Sequence, residues 1–281
     1  NATYAVVAPG THTFRIRYWL RSTTEFMYGD PIEGTVSKIV TLNCTAGSIH
    51  DITANLNPHD YDGDHYYMWD AQEQYWKGYE WTKNLGEGVG QPTFRDQQAG
   101  NYPKSNTDSR WYNEAYTYGA DNKATHTPCK DLPNANELSW YVVYGDPRWD
   151  DELWTTMGHL YKGGMWFKKK SVLQADGNYD TEKSADRTTD LRTTYKNYYN
   201  NSSSITNSGL PSIVDAGNYF YLPALGSYYF GLLNTVGGGG FYWSSSAIAS
   251  NSAYSLVFAG NNVQLNYNVS FFGFRVEPTF E

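Results

Sequence analysis

Residues 237–278 read GGGGFYWSSSAIASNSAYSLVFAGNNVQLNYNVSFFGFRVEP, and this stretch decides the fold. Large apolar residues recur at every second position, first at Leu256 and Phe258 and then at Val263 and Leu265. A period of two is that of a β-strand with one packed face and one displayed face. The stretch is therefore predicted to form a β-meander, with its turns at the Gly-rich and Asn-rich breaks.

The composition of this stretch suits neither an ordinary surface nor an ordinary core. It has no charged side chain before Arg275, and it is rich in Tyr, Phe, Ser, Asn and Gly. A plain meander with polar outer residues explains the alternation but not the aromatic content or the missing charge. Aromatic rings offer large contact area at little rotamer cost, while Ser, Gly and Asn offer adaptable hydrogen bonds. We therefore predict that the outer face binds a partner.

The whole chain has the composition of a globular, acidic protein. Its 281 residues suit one large domain or two ordinary ones. The net charge of −8 argues against a nucleic-acid partner, because no basic stripe is present and Lys168–Lys170 is too short to form one. Aromatic residues make up 17% of the chain, which fits a large aromatic core as well as a recognition surface.

Neither the two cysteines nor the N-terminus of the sequence indicates the cellular compartment of the protein. Cys44 and Cys129 are far apart in sequence, so their spacing neither requires nor excludes a disulfide. No apolar run has the length of a membrane span. The chain starts at Asn1 without a signal peptide or an initiating Met, and we interpret it as a processed or truncated form.

The first 58 residues predict antiparallel strands. THTFRIRYWL (11–20), EGTVSKIVTLNC (33–44) and SIHDITANL (48–56) each alternate, and turn residues separate them. This segment is short for a complete sandwich, so further strands are expected upstream. Alternation stops at Pro58, which places a domain boundary there and assigns 59–281 to a second domain.

Helices are expected in the second domain, which gives an α+β fold class. PRWDDELWTTMGHLY (147–161) has a proline near its start, acidic residues in the first turn, and Leu153, Met157 and Leu160 at helical spacing. TTDLRTTYKNYYN (188–200) is a second, shorter candidate. The rest of this domain is predicted to be short strands and ordered loops.

No catalytic or metal site is predicted. Asp60, Asp62 and Asp64 alternate beside two histidines, but the glycine and the closing glutamate of an EF-hand loop do not both fall in place. A solvated turn explains these acids better. The serines of YWSSSA lack a nucleophile elbow, and GGGG (237–240) lacks the Lys of a phosphate loop. The chain is therefore predicted not to be an enzyme and to need no cofactor.

Several motifs resemble a known fold family. LWTTMGHLYKGGMWFKKK (153–170), YFYLPALG (219–226), FYWSSS (241–246), AYSLVF (253–258) and FGFRVEP (272–278) are similar to the C-type-lectin-like fold, and more narrowly to the FISUMP-type domain. The resemblance covers about Pro58 to the end. GTHTFRIRYWL (10–20) and TAGSIHDITANL (45–56) resemble the last strands of a fimbrillin-like β-sandwich. Together these imply a C-type-lectin-like domain, mostly β with one or two helices, preceded by antiparallel β-sandwich strands.

The combination also resembles the variable protein of a diversity-generating retroelement. Such systems rewrite adenines, mainly in Asn codons, and this cannot produce Lys, Glu, Met or Trp. From Gly226 to Phe274 the chain has no Lys, Glu or Met, and its only Trp is Trp243 within YWSSS. Gln264 cannot arise from an Asn codon, so it is either framework or counts against the idea. Asp is reachable but absent, which this hypothesis does not explain.

The resemblance divides the C-terminal segment into two sets. The residues expected to vary and to bind the ligand are Ser227, Tyr228, Tyr229, Phe230, Leu232, Leu233, Phe241, Tyr254, Ser255, Val257, Ala259, Asn261, Asn262, Asn266, Asn268, Ser270, Phe271 and Phe272. The residues expected to form a fixed framework are Pro223, Leu225, Gly226, Tyr242, Trp243, Ser244, Ser245, Leu256, Phe258, Val263, Leu265, Gly273, Phe274 and Val276.

The leading functional hypothesis is an adhesin or ligand-binding protein at the cell surface or outside the cell. Its ligand would be a protein or, less favoured, a glycan, and other pilus or surface subunits would be further partners. One alternative is a structural pilus tip or stalk subunit without a diversified site. A remote alternative is an enzyme of the formylglycine-generating type, which would need a reactive cysteine pair where the second domain has Cys129 alone.

Overall fold

A computed structural model describes residues 4–27, 29–53, 55–80, 100–114, 123–207 and 210–277. The strands are β1 (Gly10–Met27), β2 (Asp30–Cys44), β3 (His59–Tyr61), β4 (Tyr66–Tyr67), β5 (Arg148–Thr156), β6 (His159–Lys168), β7 (Tyr198–Asn200), β8 (Tyr219–Pro223), β9 (Ser227–Tyr229), β10 (Leu232–Asn234), β11 (Gly239–Ala249), β12 (Ser252–Ala259), β13 (Asn262–Val269) and β14 (Phe274–Arg275). The α-helices are α1 (Ala135–Tyr144), α2 (Lys170–Ala175) and α3 (Ser204–Asn207). The protein is thus β-rich with a few helices, compatible with the α+β class.

The first sheet joins the N-terminal hairpin to later strands. Its order is β1-β2-β5-β6-β8, and β3 also pairs with β5. β2 runs parallel to β5, with Thr35 opposite Glu152, and Arg17 forms an ion pair of 2.9 Å with Asp150. Ile32 of β2 is buried in a small cluster that includes Leu153 of β5. The two segments therefore share one sheet, while the division of the chain at residue 58 stays a prediction.

The second sheet contains the stretch quoted at the outset. Its order is β4-β14-β11-β12-β13-β7, and β11, β12 and β13 form the predicted antiparallel meander. Leu256 lies opposite both Tyr242 and Leu265, and all three face the core. The parallel contact of β14 with β11 and its antiparallel contact with β4 place residues 66–67 beside the end of the chain.

The main core is formed by α1 and the inner faces of both sheets. Leu138 of α1, Phe167 of β6, Leu222 of β8 and Phe258 of β12 are all buried in it. Asn134 caps α1: its side chain accepts from the Glu137 amide, and the Glu137 carboxylate accepts from the Asn134 amide at 2.8 Å. This capping box satisfies two amides that a helix start leaves unpaired.

The helix predicted over residues 147–161 is wrong. β5 and β6 form an antiparallel hairpin there, closed by Met157 and Gly158, which have φ of 50° and 82°. Two consecutive residues of positive φ form a turn whose twist matches that of paired strands. The aromatic and β-branched content of Trp149–Thr156 favours a strand, and it outweighed the helical spacing of apolar residues.

Two further predictions are wrong and one helix was missed. Residues 188–200 form turns followed by β7, not a helix. The described residues of 48–56 belong to no strand, and no described strand pairs with them. Ile49 and Ile52 are exposed there. The missed helix is α1, whose sequence ANELSWYVVY resembles a buried strand as much as a helix.

Both cysteines are free, with Cys44 half-buried and Cys129 buried. No helix in the described part of the chain is long and apolar enough to cross a membrane.

Candidate ligand-binding surface

A group of partly exposed aromatic rings lies close together on the surface of the described chain. We call it the aromatic surface and define it as Tyr102, Trp111, Tyr229, Phe230, Phe271 and Phe272. The Tyr229 ring lies 4.2 Å from that of Phe230 and 5.1 Å from that of Phe272. Phe271 stacks on Phe230 at 5.8 Å. The contacts of Tyr229 and Phe230 with Phe271 and Phe272 thus join two chain segments some forty residues apart, and Tyr102 and Trp111 add rings from an earlier part of the chain.

Two backbone features bring these segments together. β9 and β10 form a two-residue hairpin in which Tyr229 pairs with Leu232, and its turn residue Phe230 has φ of 49°. Tyr228 exchanges two backbone hydrogen bonds with Gly273, at 2.9 Å and 2.8 Å. A Cβ on Gly273 would lie 2.8 Å from the Tyr75 ring, so only glycine lets the two segments approach so closely.

A buried layer of aromatic rings supports the surface from below. Tyr228 is fully buried and stacks on Tyr75 at 5.0 Å, with Tyr66 and Trp76 edge-on to it. The Tyr75 hydroxyl accepts a hydrogen bond of 2.9 Å from the Gly231 amide, which fixes the hairpin turn. Burial raises the pKa of the Tyr228 hydroxyl well above its usual value. These rings are structural, and they hold the exposed rings rigidly in place.

Trp111 and Tyr102 belong to the aromatic surface but were not predicted. Trp111 lies parallel to Phe271, at 6.4 Å and 10°, and its indole N–H donates to Glu114 at 2.7 Å. Tyr102 lies 6.1 Å from Phe230. Both residues are in loop sequence without periodicity, so no pattern placed them beside the C-terminal segment.

A polar cleft of about 460 Å³ adjoins the aromatic surface at Trp111. Asp70 is buried in its wall, and its carboxylate accepts from the amides of Thr125 (2.9 Å) and His126 (2.7 Å) and from the Asn113 side chain (2.9 Å). Glu114 is exposed at the opening, and hydrogen bonds from Trp111 and Asn106 lower the pKa of its carboxyl. The edge of the aromatic surface therefore carries negative charge.

The outer face of the meander carries further accessible side chains, most of which belong to the predicted ligand-binding set. Phe241, Val257, Gln264 and Tyr199 occupy one row across β11, β12, β13 and β7, and all are at least partly exposed. Tyr199 is 61% exposed and was not among the predicted residues. The other predicted residues that remain accessible are Leu232, Ala259, Asn261, Asn262, Asn266 and Asn268.

Six residues of the predicted ligand-binding set have side chains that are buried in the structure and so are not displayed as expected. They are Ser227, Tyr228, Leu233, Tyr254, Ser255 and Ser270. Tyr254 lies in the main core, with its hydroxyl 3.2 Å from the Lys196 amide, and the Ser255 hydroxyl accepts from Asn268 at 2.8 Å. Alternation within β12 already places Tyr254 on the inner face with Leu256 and Phe258, so its assignment to the displayed set departed from that pattern. The outer face of β12 is itself covered where Ser255 lies opposite Trp243.

Every residue assigned to the framework is buried. Trp243 stacks on Phe274 at 4.3 Å and donates its indole N–H to the Tyr67 carbonyl at 2.9 Å. Tyr242 donates its hydroxyl to the Pro223 carbonyl at 2.6 Å. Such buried hydrogen bonds make these residues hard to replace.

No protein-family model, curated protein or solved structure matches the chain. The candidate site therefore has to be judged from its own chemistry.

The side chains considered for catalysis or metal binding have structural contacts. Asp60 accepts a hydrogen bond of 2.7 Å from Thr155, and the Asp62 carboxylate lies 3.5 Å from the Arg275 guanidinium. No group of three or more His, Cys, Asp or Glu placed to hold a metal occurs within the described ranges. Burial raises the pKa of the Cys129 thiol to about 12, which disfavours a reactive thiolate.

Proposed function

We propose that this protein is an adhesin or ligand-binding protein at the cell surface, and that its aromatic surface binds a protein ligand. The observation that carries the proposal is the convergence of Tyr229, Phe230, Phe271 and Phe272 in one partly exposed, uncharged group. Monomeric proteins rarely expose contiguous apolar area without using it, and aromatic side chains dominate binding energy at interfaces.

We further propose that the β-rich fold is C-type-lectin-like and that a retroelement diversifies this surface. Support comes from burial: the framework is buried throughout, whereas twelve of the eighteen residues expected to vary, Tyr229, Phe230, Phe271 and Phe272 among them, remain accessible. Surface residues can vary in sequence only if the core residues beneath them stay the same, because changes in core volume and shape destabilise the fold. The palette of aromatic residues with Ser, Asn and Gly is also that of antibody binding loops.

Sequencing the gene in several isolates tests the diversification. Substitutions should concentrate at the accessible residues of the predicted set, fall at template adenines, and spare the framework and the buried members. Uniform substitution along residues 59–277 would remove the retroelement from the proposal.

Ligand binding is tested separately, with a surface-display screen for proteins that bind the intact chain. Phe230→Ser with Phe271→Ser should weaken capture of a confirmed ligand by on the order of 100-fold, because both are contact rings. Val214→Ser, at a still more exposed apolar residue outside the aromatic surface, is the control and should leave binding unchanged. Equal binding by the double variant and the control would exclude the aromatic surface as the contact site.

A structural role in a pilus or stalk is the second candidate. β1 is at the end of the described strand order of its sheet, and it carries Trp19 at 60% and Phe26 at 55% exposure. Long open edges with exposed apolar residues favour pairing with another chain. Assembly of the protein into fibres that the double variant leaves intact would favour this role over ligand binding.

A further inference from the structure

A second cleft, of about 410 Å³, lies in the first sheet where the neighbour of β5 changes from β2 to β3. We call it the β5-edge cleft. The lining residues that decide its chemistry are His59, Asp60, Tyr61, Glu152, Trp154 and Tyr221. No residue of the aromatic surface lines it, so binding in this cleft is independent of the proposed function. Its volume is that of a small-molecule or side-chain site.

One carboxylate in the wall of this cleft is held in a fixed position. Glu152 is half-buried, and it accepts hydrogen bonds from the Ser37 amide at 2.6 Å, the Ser37 hydroxyl at 2.8 Å and the Thr35 hydroxyl at 3.3 Å. No Lys, Arg or His of the described chain lies within ion-pair distance of it; Arg17 pairs with Asp150 at 2.9 Å, and the charges of Arg17 and Arg15 act on Glu152 only at longer range. Burial raises the pKa of the Glu152 carboxyl, because the negative charge is incompletely solvated.

The rim of the cleft adds aromatic rings and a second carboxylate. The His59 and Tyr61 rings meet edge to face at 4.3 Å, and Tyr61 lies 6.0 Å from the Trp154 ring. Asp60, which lies between His59 and Tyr61 in sequence, is exposed, and its carboxylate accepts a hydrogen bond of 2.7 Å from the Thr155 hydroxyl. Among its described lining residues there is no Lys or Arg, so the cleft combines negative charge with aromatic faces.

We infer that the β5-edge cleft binds an organic cation, an ammonium or guanidinium group on an aliphatic stem. Such a group would pair with the fixed Glu152 carboxylate, while its stem and charge would contact the rings of Tyr61 and Tyr221. An anion would meet repulsion from Glu152 and Asp60. A metal ion is disfavoured because no cluster of three ligating side chains forms in the described residues. The cation comes either from a Lys or Arg side chain of a peptide or from a free polyamine.

The test is titration of the full chain, followed by NMR, with two probes that differ in charge but not in shape. Nα-acetyl-arginine N-methylamide should bind with a millimolar dissociation constant, and the citrulline analogue should bind at least about tenfold more weakly. Spermidine is the third probe: tighter binding than the blocked arginine identifies a free amine as the ligand, and weaker binding identifies a peptide side chain. Equal binding of the arginine and citrulline probes would overturn the inference, as would no binding of any probe.

Variants of the cleft locate the binding. Glu152→Gln removes the charge and should weaken arginine binding about tenfold, and Asp60→Asn, at an exposed position that tolerates change, should weaken it severalfold. Glu182→Gln, an exposed acid outside the cleft, is the matched control and should have no effect. If Asp60→Asn and a folded Glu152→Gln both bind like the control, the cation binds elsewhere and the inference fails.

Phe230→Ser, on the aromatic surface, should leave arginine binding unchanged, which separates this test from that of the proposed function.

Discussion

Tyr228 and Tyr229 are neighbours in sequence and have opposite environments. Tyr228 is fully buried against Tyr66, Tyr75 and Trp76, whereas Tyr229 is 39% exposed. We expect Tyr228→Ser to lower the free energy of unfolding by about 3–5 kcal/mol, because it leaves a cavity in the aromatic layer. Tyr229→Ser should cost less than about 1 kcal/mol. Urea denaturation of both variants checks this, and equal losses would contradict the assignment of inward and outward faces.

At the residue scale, the sequence was informative about what is buried and less so about what is displayed. Large apolar residues such as Phe258 and Val263 were placed in the core correctly, because only the core accommodates them at a period of two. Ser255 and Ser270 were misplaced, since a small polar residue fits a solvent face or a covered one equally well. Which outer positions are covered depends on Trp243 of the neighbouring strand β11 and on Trp69, whose indole N–H donates to the Ser244 carbonyl from a distant part of the chain.

At the element scale, the β5–β6 hairpin shows how turn chemistry selects a strand over a helix. Gly158 has φ of 82°, a conformation that is strained for a residue with a Cβ, although nothing lies within 4 Å of where a Cβ would be. Gly158→Ala should therefore lower stability by about 1 kcal/mol through backbone strain alone. Gly217→Ala is the matched control, because that glycine is also open but does not have a positive φ in the left-handed range. A smaller loss of melting temperature for Gly158→Ala than for the control would contradict this account.

Strands with local signals were predicted well, and elements that depend on distant partners were not. β1, β2 and the meander β11–β13 follow from alternation and turns. Residues 48–56 alternate just as clearly, yet no strand of the described chain pairs with them. α1 was missed because apolar residues occur almost all around it, as expected for a helix packed between two sheets.

At the scale of the whole molecule, stability is expected to differ between the two ends of the first sheet. Near Thr35 the hairpin β1–β2 is anchored by β5, but residues 10–16 and 38–44 extend beyond it and have no buried side chain. Their amides should exchange with solvent much faster than those of β12 and β13, whose inner faces are fully buried. Hydrogen exchange followed by mass spectrometry measures this, and equal protection would mean that the hairpin is part of the same cooperative unit.

The pairing of β4 with β14 has a consequence for engineering. Tyr66 lies opposite Arg275, and the Arg275 guanidinium donates to the Asp62 carbonyl. The two ends of the segment from residue 62 to residue 275 therefore lie next to each other. A unit whose two ends adjoin can be spliced into a surface loop of an unrelated carrier, or circularly permuted, with little distortion of either. The stretch from about residue 59 to 277 is thus a candidate graft, able to present the aromatic surface on a host scaffold of choice.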